Sequence, residues 1–403
     1  MIYRTLFLLT CVVCLVACQK TTTLKLTSDS SIPVSGKRIV LKKTDFPDLK
    51  ASYFTLKDPK GELIPVQFDD MDGDGIWDEV AFECDFEPDG VLSLELTETE
   101  ELPDFPTNTN VYLGYSAERN NQFTSVAANS RPADHVALST PYLYQYEGPG
   151  WESELVGFRT YFDSRNGKDI FGKAKPQLCV EQIGLGENYH ELQDWGMDVL
   201  KVGSSLGAGA LAMFRSDSIY RLGDTETADF RIITEGPVRA VLQLKYGGWN
   251  VGGATYGLTE TISIWAGKRS YESQVLLEGR EGNEKLVTGI VDLKKVAKRE
   301  LEVGGVQIMY TYGNQSENHD NLGMGILVKQ DGLAGFSKAP EEGEGVINTY
   351  TALLNPVDDL YSFHFFAGWE VENEAFANQT GFEEALIEAA NELNANIQVE
   401  LIK

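Results

Sequence analysis

Along Val238, Ala240, Leu242, Leu244 and Tyr246, apolar side chains alternate with Arg239, Val241, Gln243 and Lys245. That period of two predicts a strand with one buried face, ended by Gly247-Gly248. Past a loop with Gly252-Gly253, Leu258 to Trp265 and Tyr271 to Leu277 repeat the pattern, divided by Ala266-Gly267-Lys268. The sequence therefore predicts an antiparallel meander with no crossover helices. One helix stands out. Thr380 and Glu383 have capping-box spacing, and Phe382, Leu386, Ala390 and Leu393 form one stripe before Asn394, with a last strand at 397–402. Pro103 and Pro106 interrupt the strand pattern, which divides a small β-domain, 35–108, from a large part, 109–403. With no internal repeat, the expected architecture is mainly β: a large antiparallel β-sandwich after a small β-domain, with one C-terminal helix.

The first residues follow another rule. Arg4 precedes an apolar run, Leu6 to Val16, too short for a stable membrane span. It closes with Leu15-Val16-Ala17-Cys18, the order of a lipoprotein processing site. The expectation is a signal peptide at 1–17, lipidation of Cys18 and a polar tether at 18–34. The chain would then be an outer-membrane lipoprotein held by its lipid alone. No acidic run follows Cys18, which favours the periplasmic face. Of the five cysteines only Cys84 and Cys179 lie beyond Cys18; as a disulfide or as two separate buried thiols they fit equally well. A formal net charge of −27 disfavours nucleic acid and anionic lipid as partners.

Three stretches carry candidate chemistry. Asp70, Asp72, Asp74 and Asp78, with Gly75 at the sixth position, match the opening of a calcium loop, although Ala81 stands where a closing glutamate is expected. Glu79 or Glu83 would have to close it; an Asp/Gly-rich hairpin explains the residues equally well. No cofactor is required, and a structural calcium is the one candidate. Second, residues 157–175 carry Arg159, Arg165, Lys168, Lys173 and Lys175 against Asp163 and Asp169. Such an excess can steer an anion, and Tyr144, Tyr146, Trp151 and Tyr161 nearby offer flat faces for sugar rings; a solvated strand face over core aromatics is the alternative. Third, His190 lies among Tyr189, Asp194, Trp195, Asp198 and Lys201 in an aperiodic, glycine-containing stretch typical of site loops. His364, in Phe363-His364-Phe365, ranks second as a histidine.

Taken together, the Asp-rich hairpin, Tyr146-Glu147-Gly148-Pro149-Gly150-Trp151-Glu152-Ser153, Asp169-Ile170-Phe171-Gly172-Lys173, Tyr189-His190, the 195–203 segment, Gly236-Pro237-Val238-Arg239 and Ala367-Gly368-Trp369-Glu370 resemble a family of exported proteins carrying a domain of unknown function. Its members are frequent in polysaccharide-utilisation loci of Bacteroidota and include an oligosaccharide dehydratase of ulvan degradation. The resemblance implies a galactose-mutarotase-like supersandwich. It also implies a carbon-oxygen lyase that removes water from the non-reducing-end uronic acid of an anionic oligosaccharide, leaving a 4,5-unsaturated product. That chemistry needs the carboxylate neutralised, for which Arg159 is the candidate, and a base at C5, His190 first and Tyr189 second. An acid for the leaving hydroxyl would be Tyr161 or Lys201, with Asp198 orienting a neighbour. Tyr146, Trp151, Arg165, Trp195 and His364 are the candidate substrate-binding residues. A glycan-binding lipoprotein without chemistry is the alternative.

Overall fold

In the computed structural model, residues 22–282 and 284–402 are described; the signal segment and Cys18 lie outside them. The large part is a β-sandwich. Its nine-stranded antiparallel sheet runs in the order Ala128–Ser130, Thr227–Thr234, Arg239–Val251, Ala254–Trp265, Ser270–Glu278, Leu360–Trp369, Asn321–Lys329, Val306–Asn314, Arg299–Val303. Two five-stranded sheets complete it. One, ordered Gly196–Asp198, Lys168–Lys173, Val156–Thr160, Gly150–Ser153, Thr109–Tyr112, carries the candidate site. The other is centred on Lys285–Val291. Inward side chains of all three, among them Trp151, Phe158, Leu242, Ile262, Tyr271, Ile290 and Phe365, make one continuous core.

The predicted meander is present. Ala240, Leu242, Leu244 and Tyr246 all point into that core, and 239–246 pairs in register with 258–265. Gly247-Gly248 does not end the strand as expected: the chain bulges between Tyr246 and Trp249, then continues to Val251. Gly252 and Gly253, both with positive φ, make the two-residue hairpin turn instead. Helix α1, Gln379–Asn394, buries Phe382, Leu386 and Ala390, but the expected capping box is absent. Asn378 caps the helix by accepting from Gly381 N, while Glu383 accepts hydrogen bonds from Tyr310 Oη and Gln379 Nε2.

The small domain combines a five-stranded and a three-stranded sheet around Phe54, Trp77 and Phe82. Its first strand, Thr22–Ser28, pairs with Val91–Thr99 on one side and Ile397–Ile402 on the other. The expected tether at 18–34 is thus corrected from Thr22 on, because Leu24 and Leu26 are fully buried there. Residues 100–108 carry no regular element. Arg239 bonded to Asp69 and Arg38 bonded to Glu392 fasten the small domain to the sandwich and helix. Cys84 and Cys179 are separate buried thiols. Among the described residues no helix is long and apolar enough to cross a membrane.

Candidate active site

Strand alternation sorts the site sheet into two faces. Trp151, Phe158, Ile170 and Met197 point into the sandwich core. Arg159, Asp169, Phe171 and Asp198 therefore take the opposite face, which is covered by Cys179, Val180, Ile183, Tyr189 and Trp195 of the following loop. The hairpin register sets Arg159 opposite Asp169, and Phe171 opposite Asp198.

Arg159 is the centre of this face and only 2% exposed. Its Nη2 donates to Asp198 Oδ2 at 2.6 Å and Asp169 Oδ2 at 2.9 Å; its Nη1 donates to Tyr146 O at 2.9 Å and lies 3.4 Å from Tyr189 Oη. The guanidinium also lies over the rings of Tyr161, Phe171 and Tyr189, at 4.9, 5.3 and 5.5 Å. Tyr161 donates its hydroxyl to Asp169 Oδ2 at 2.6 Å. Two carboxylates on one cation cannot both be ionised cheaply. Burial, and then the neighbouring Asp198 charge, raise the Asp169 carboxyl to about 7.

His190 sits at the mouth of this cluster, its side chain 61% exposed, with Nδ1 3.3 Å from Asp198 Oδ2 and its ring 4.3 Å from that of Tyr189. The contact with Asp198 raises its pKa above the usual 6.5. A carboxylate on Nδ1 leaves Nε2 directed away from Asp198, the arrangement a histidine base requires. Burial raises the Tyr189 hydroxyl pKa, so at neutral pH it is a donor.

Beside these groups lies a recess of about 380 Å³ lined by Phe123, Tyr142, Tyr146, Glu147, Leu185 and Tyr189, among others. Tyr146 and Glu147 form its edge with consecutive left-handed φ values of 37° and 74°. Such conformations cost about 1–3 kcal/mol each in non-glycine residues and collect at functional sites. Here the cost is met by Arg159 on the Tyr146 carbonyl and by Arg165, whose Nη2 donates to Glu147 Oε1 at 2.8 Å.

The structure thus brings together Tyr146, Arg159, Tyr161, Arg165, Tyr189, His190 and Asp198, with Trp195 edge-on to Phe171. It does not bring the others. Trp151 is fully buried in the sandwich core, stacked on Phe158, and cannot touch a ligand. His364 lies on the large sheet with Nε2 3.9 Å from Glu272, and burial lowers its pKa to about 4. Lys201 is exposed beside Leu293 and Val296.

The expected positive field at 157–175 is also corrected. Lys168 is buried against Glu260 and Lys173 against Glu152, while Arg165 is held by Asp163 and Glu147. Around the cleft two guanidiniums meet four carboxylates. Nor is Arg159 an open carboxylate receptor: Nη1 and Nη2 have internal partners, and Nε is buried without one among the described residues. Arg165, 29% exposed and stacked on Tyr161 at 4.3 Å, is the cation within reach of solvent.

Asp169 and Glu147 had no role from sequence. A turn at 163–166 would have set Asp169 opposite Arg159, whereas Glu147 and the recess residues come from loops with no common pattern.

In the Asp-rich loop, one oxygen each of Asp70, Asp72 and Asp78 lies within 4.8 Å of the others, and Asp74 is outside this group. Asp70 accepts from the amides of Gly73, Asp74 and Gly75, and Asp78 from those of Met71 and Asp72. Neither proposed closing ligand is available, since Glu79 is bonded to Arg239 and Glu83 lies beside Lys268. The loop fits a hard cation only in part, and its carboxylates already organise the turn.

The solved structures of an alpha-mannosidase and of a glycosyl hydrolase family 38 protein, both from Enterococcus faecalis, align over 95% and 96% of this chain, with TM-scores of 0.46 and 0.45 and identities of 7% and 8%. The chain spans about half their length, 46% and 48%. "Uncharacterized protein P7" of Formosa agariphila is 22% identical over 361 residues, covering 84% of this chain and 82% of that protein. The family described as "Domain of unknown function (DUF4861)" matches residues 26–399, and the chain belongs to it.

Proposed function

We propose that this protein is an oligosaccharide dehydratase. It would eliminate water across C4 and C5 of a non-reducing-end uronic acid, as the resemblance to the ulvan-degrading member implies. The observation that carries this reading is the exposed His190, with Nδ1 on a buried carboxylate that is itself fixed by Arg159. His190 Nε2 takes the C5 proton, the C4–O bond breaks, and Tyr189 donates its proton to the departing oxygen, releasing water. Proton return from His190 to Tyr189, 4.3 Å away ring to ring, restores the resting state. Tyr161, half-buried and bonded to Asp169, is a positioning group and not the acid. Charge developing on the substrate carboxylate is met by Arg165 and not, as the sequence suggested, by Arg159.

The test is incubation with uronic-acid-ended oligosaccharides, following ultraviolet absorbance of the unsaturated acid and the mass loss of one water. Because the base must be neutral, turnover is expected to rise with pH through the His190 pKa, which lies above 6.5. Asp198→Asn removes the charge that stabilises the imidazolium, so the acid limb of the pH–rate profile is expected to move to lower pH as the rate falls. A limb that stays in place would remove His190 from the base role.

Binding without turnover is favoured by one observation: Arg159 is buried with its Nη1 and Nη2 held internally, which leaves Arg165 as the accessible guanidinium of a cleft rich in carboxylates. Absence of both product signals with retained affinity would select it. The proposal also places the protein on the outer membrane through a lipid on Cys18, facing the periplasm.

A further inference from the structure

We propose that the recess beside His190 is a subsite for a neutral sugar ring, the neighbour of the ring that reacts; this rests on the saccharide reading above. Its volume, about 380 Å³, falls within the ~300–1,000 Å³ of small-ligand sites. Phe123, Tyr142, Leu185 and Tyr189 give it aromatic and apolar walls from three separate chain segments. Tyr142 and Leu185 remain 40% and 57% exposed, large apolar groups held in water at the mouth of a cavity. Such walls suit the C–H faces of a pyranose, with the Tyr142 hydroxyl, Asn121 and Glu147 available to its hydroxyls. Tyr189 joins the two places, lining the recess while its ring lies against His190.

Charge decides which ring enters. Among the described residues Glu147 is the only carboxylate on the wall, and no lysine or arginine lines the recess. The two cations near that carboxylate are both engaged, Arg165 by Glu147 and Asp163 and Arg159, 3.8 Å from Glu147, by Asp169 and Asp198. A sulfate or second carboxylate on the neighbouring ring would come to rest beside the Glu147 carboxylate with no lysine or arginine on the wall to receive it, which a neutral ring avoids.

The probe is a disaccharide whose terminal uronic acid is 4-deoxy and so cannot react, made with an unsulfated and with a sulfated second ring. Titration calorimetry on the full chain is expected to show the unsulfated form binding at least about tenfold tighter. Tyr142→Ala should weaken it by about tenfold, and Glu147→Gln should narrow the discrimination several-fold. Equal affinity for both forms, or unchanged affinity in Tyr142→Ala, overturns the subsite and leaves the dehydratase reading standing. Binding of neither form overturns both.

Discussion

His190→Ala is expected to lower turnover of a uronic-acid-ended oligosaccharide by about 100- to 10,000-fold, the usual contribution of a positioned general base, with affinity for the unreacted sugar little changed. The proton at C5 is weakly acidic, so the step is governed by whichever group accepts it, and among the clustered residues His190 alone combines a basic nitrogen with solvent access. Because the ring is largely exposed and donates nothing to the core, its removal leaves the fold intact, and loss of rate cannot be traced to unfolding. Measuring kcat and KM separately decides the matter. A fall confined to kcat places His190 on the reaction path. A rise confined to KM makes it a binding contact, and an unchanged rate removes it from the reaction path.

The fold was legible wherever burial on one face imposed a period of two, as at 238–246, or a stripe, as along α1. It was illegible where the decisive partner is remote. Leu24 and Leu26 look like part of a polar lead-in until 397–402, at the other end of the chain, closes over the same sheet. Gly247-Gly248 carries the composition of a stop, yet the neighbouring strand extends past it and turns the pair into a bulge. The site was legible as composition, since Arg159, Tyr161, Tyr189, His190 and Asp198 are polar and aromatic residues in stretches without period. Charge could not be read the same way. Lys168 and Lys173 differ in face, and each meets an acid, Glu260 or Glu152, supplied by another strand. Trp151 and His364 failed for a related reason, because which face of a strand is covered depends on sheets packed from elsewhere.

Arg159→Met is expected to destabilise the protein by about 3–5 kcal/mol near pH 8, the penalty for leaving buried charge without its partner. The apolar stem would still fill the space between Tyr161, Phe171 and Tyr189, so the effect isolates charge from packing. Its pH dependence has a definite sign. Asp169 is already raised from 3.8 to about 7 with the guanidinium present. Its contribution is therefore complete below the ordinary aspartate value and is lost as pH rises toward 7. Without Arg159 the Asp169 carboxyl is pushed further up, the folded state binds more protons than the unfolded one over a wider range, and stability falls more steeply with pH. Urea unfolding at pH 5 and pH 8 should show the smaller deficit at pH 5, and adding Asp169→Asn should recover part of the loss at pH 8 by removing one uncompensated charge. An equal deficit at both pH values would mean that Arg159 acts through shape alone. The contact of Arg159 with Asp198 would then not be one of charge, and the proposed base would lose its fixed orienting partner.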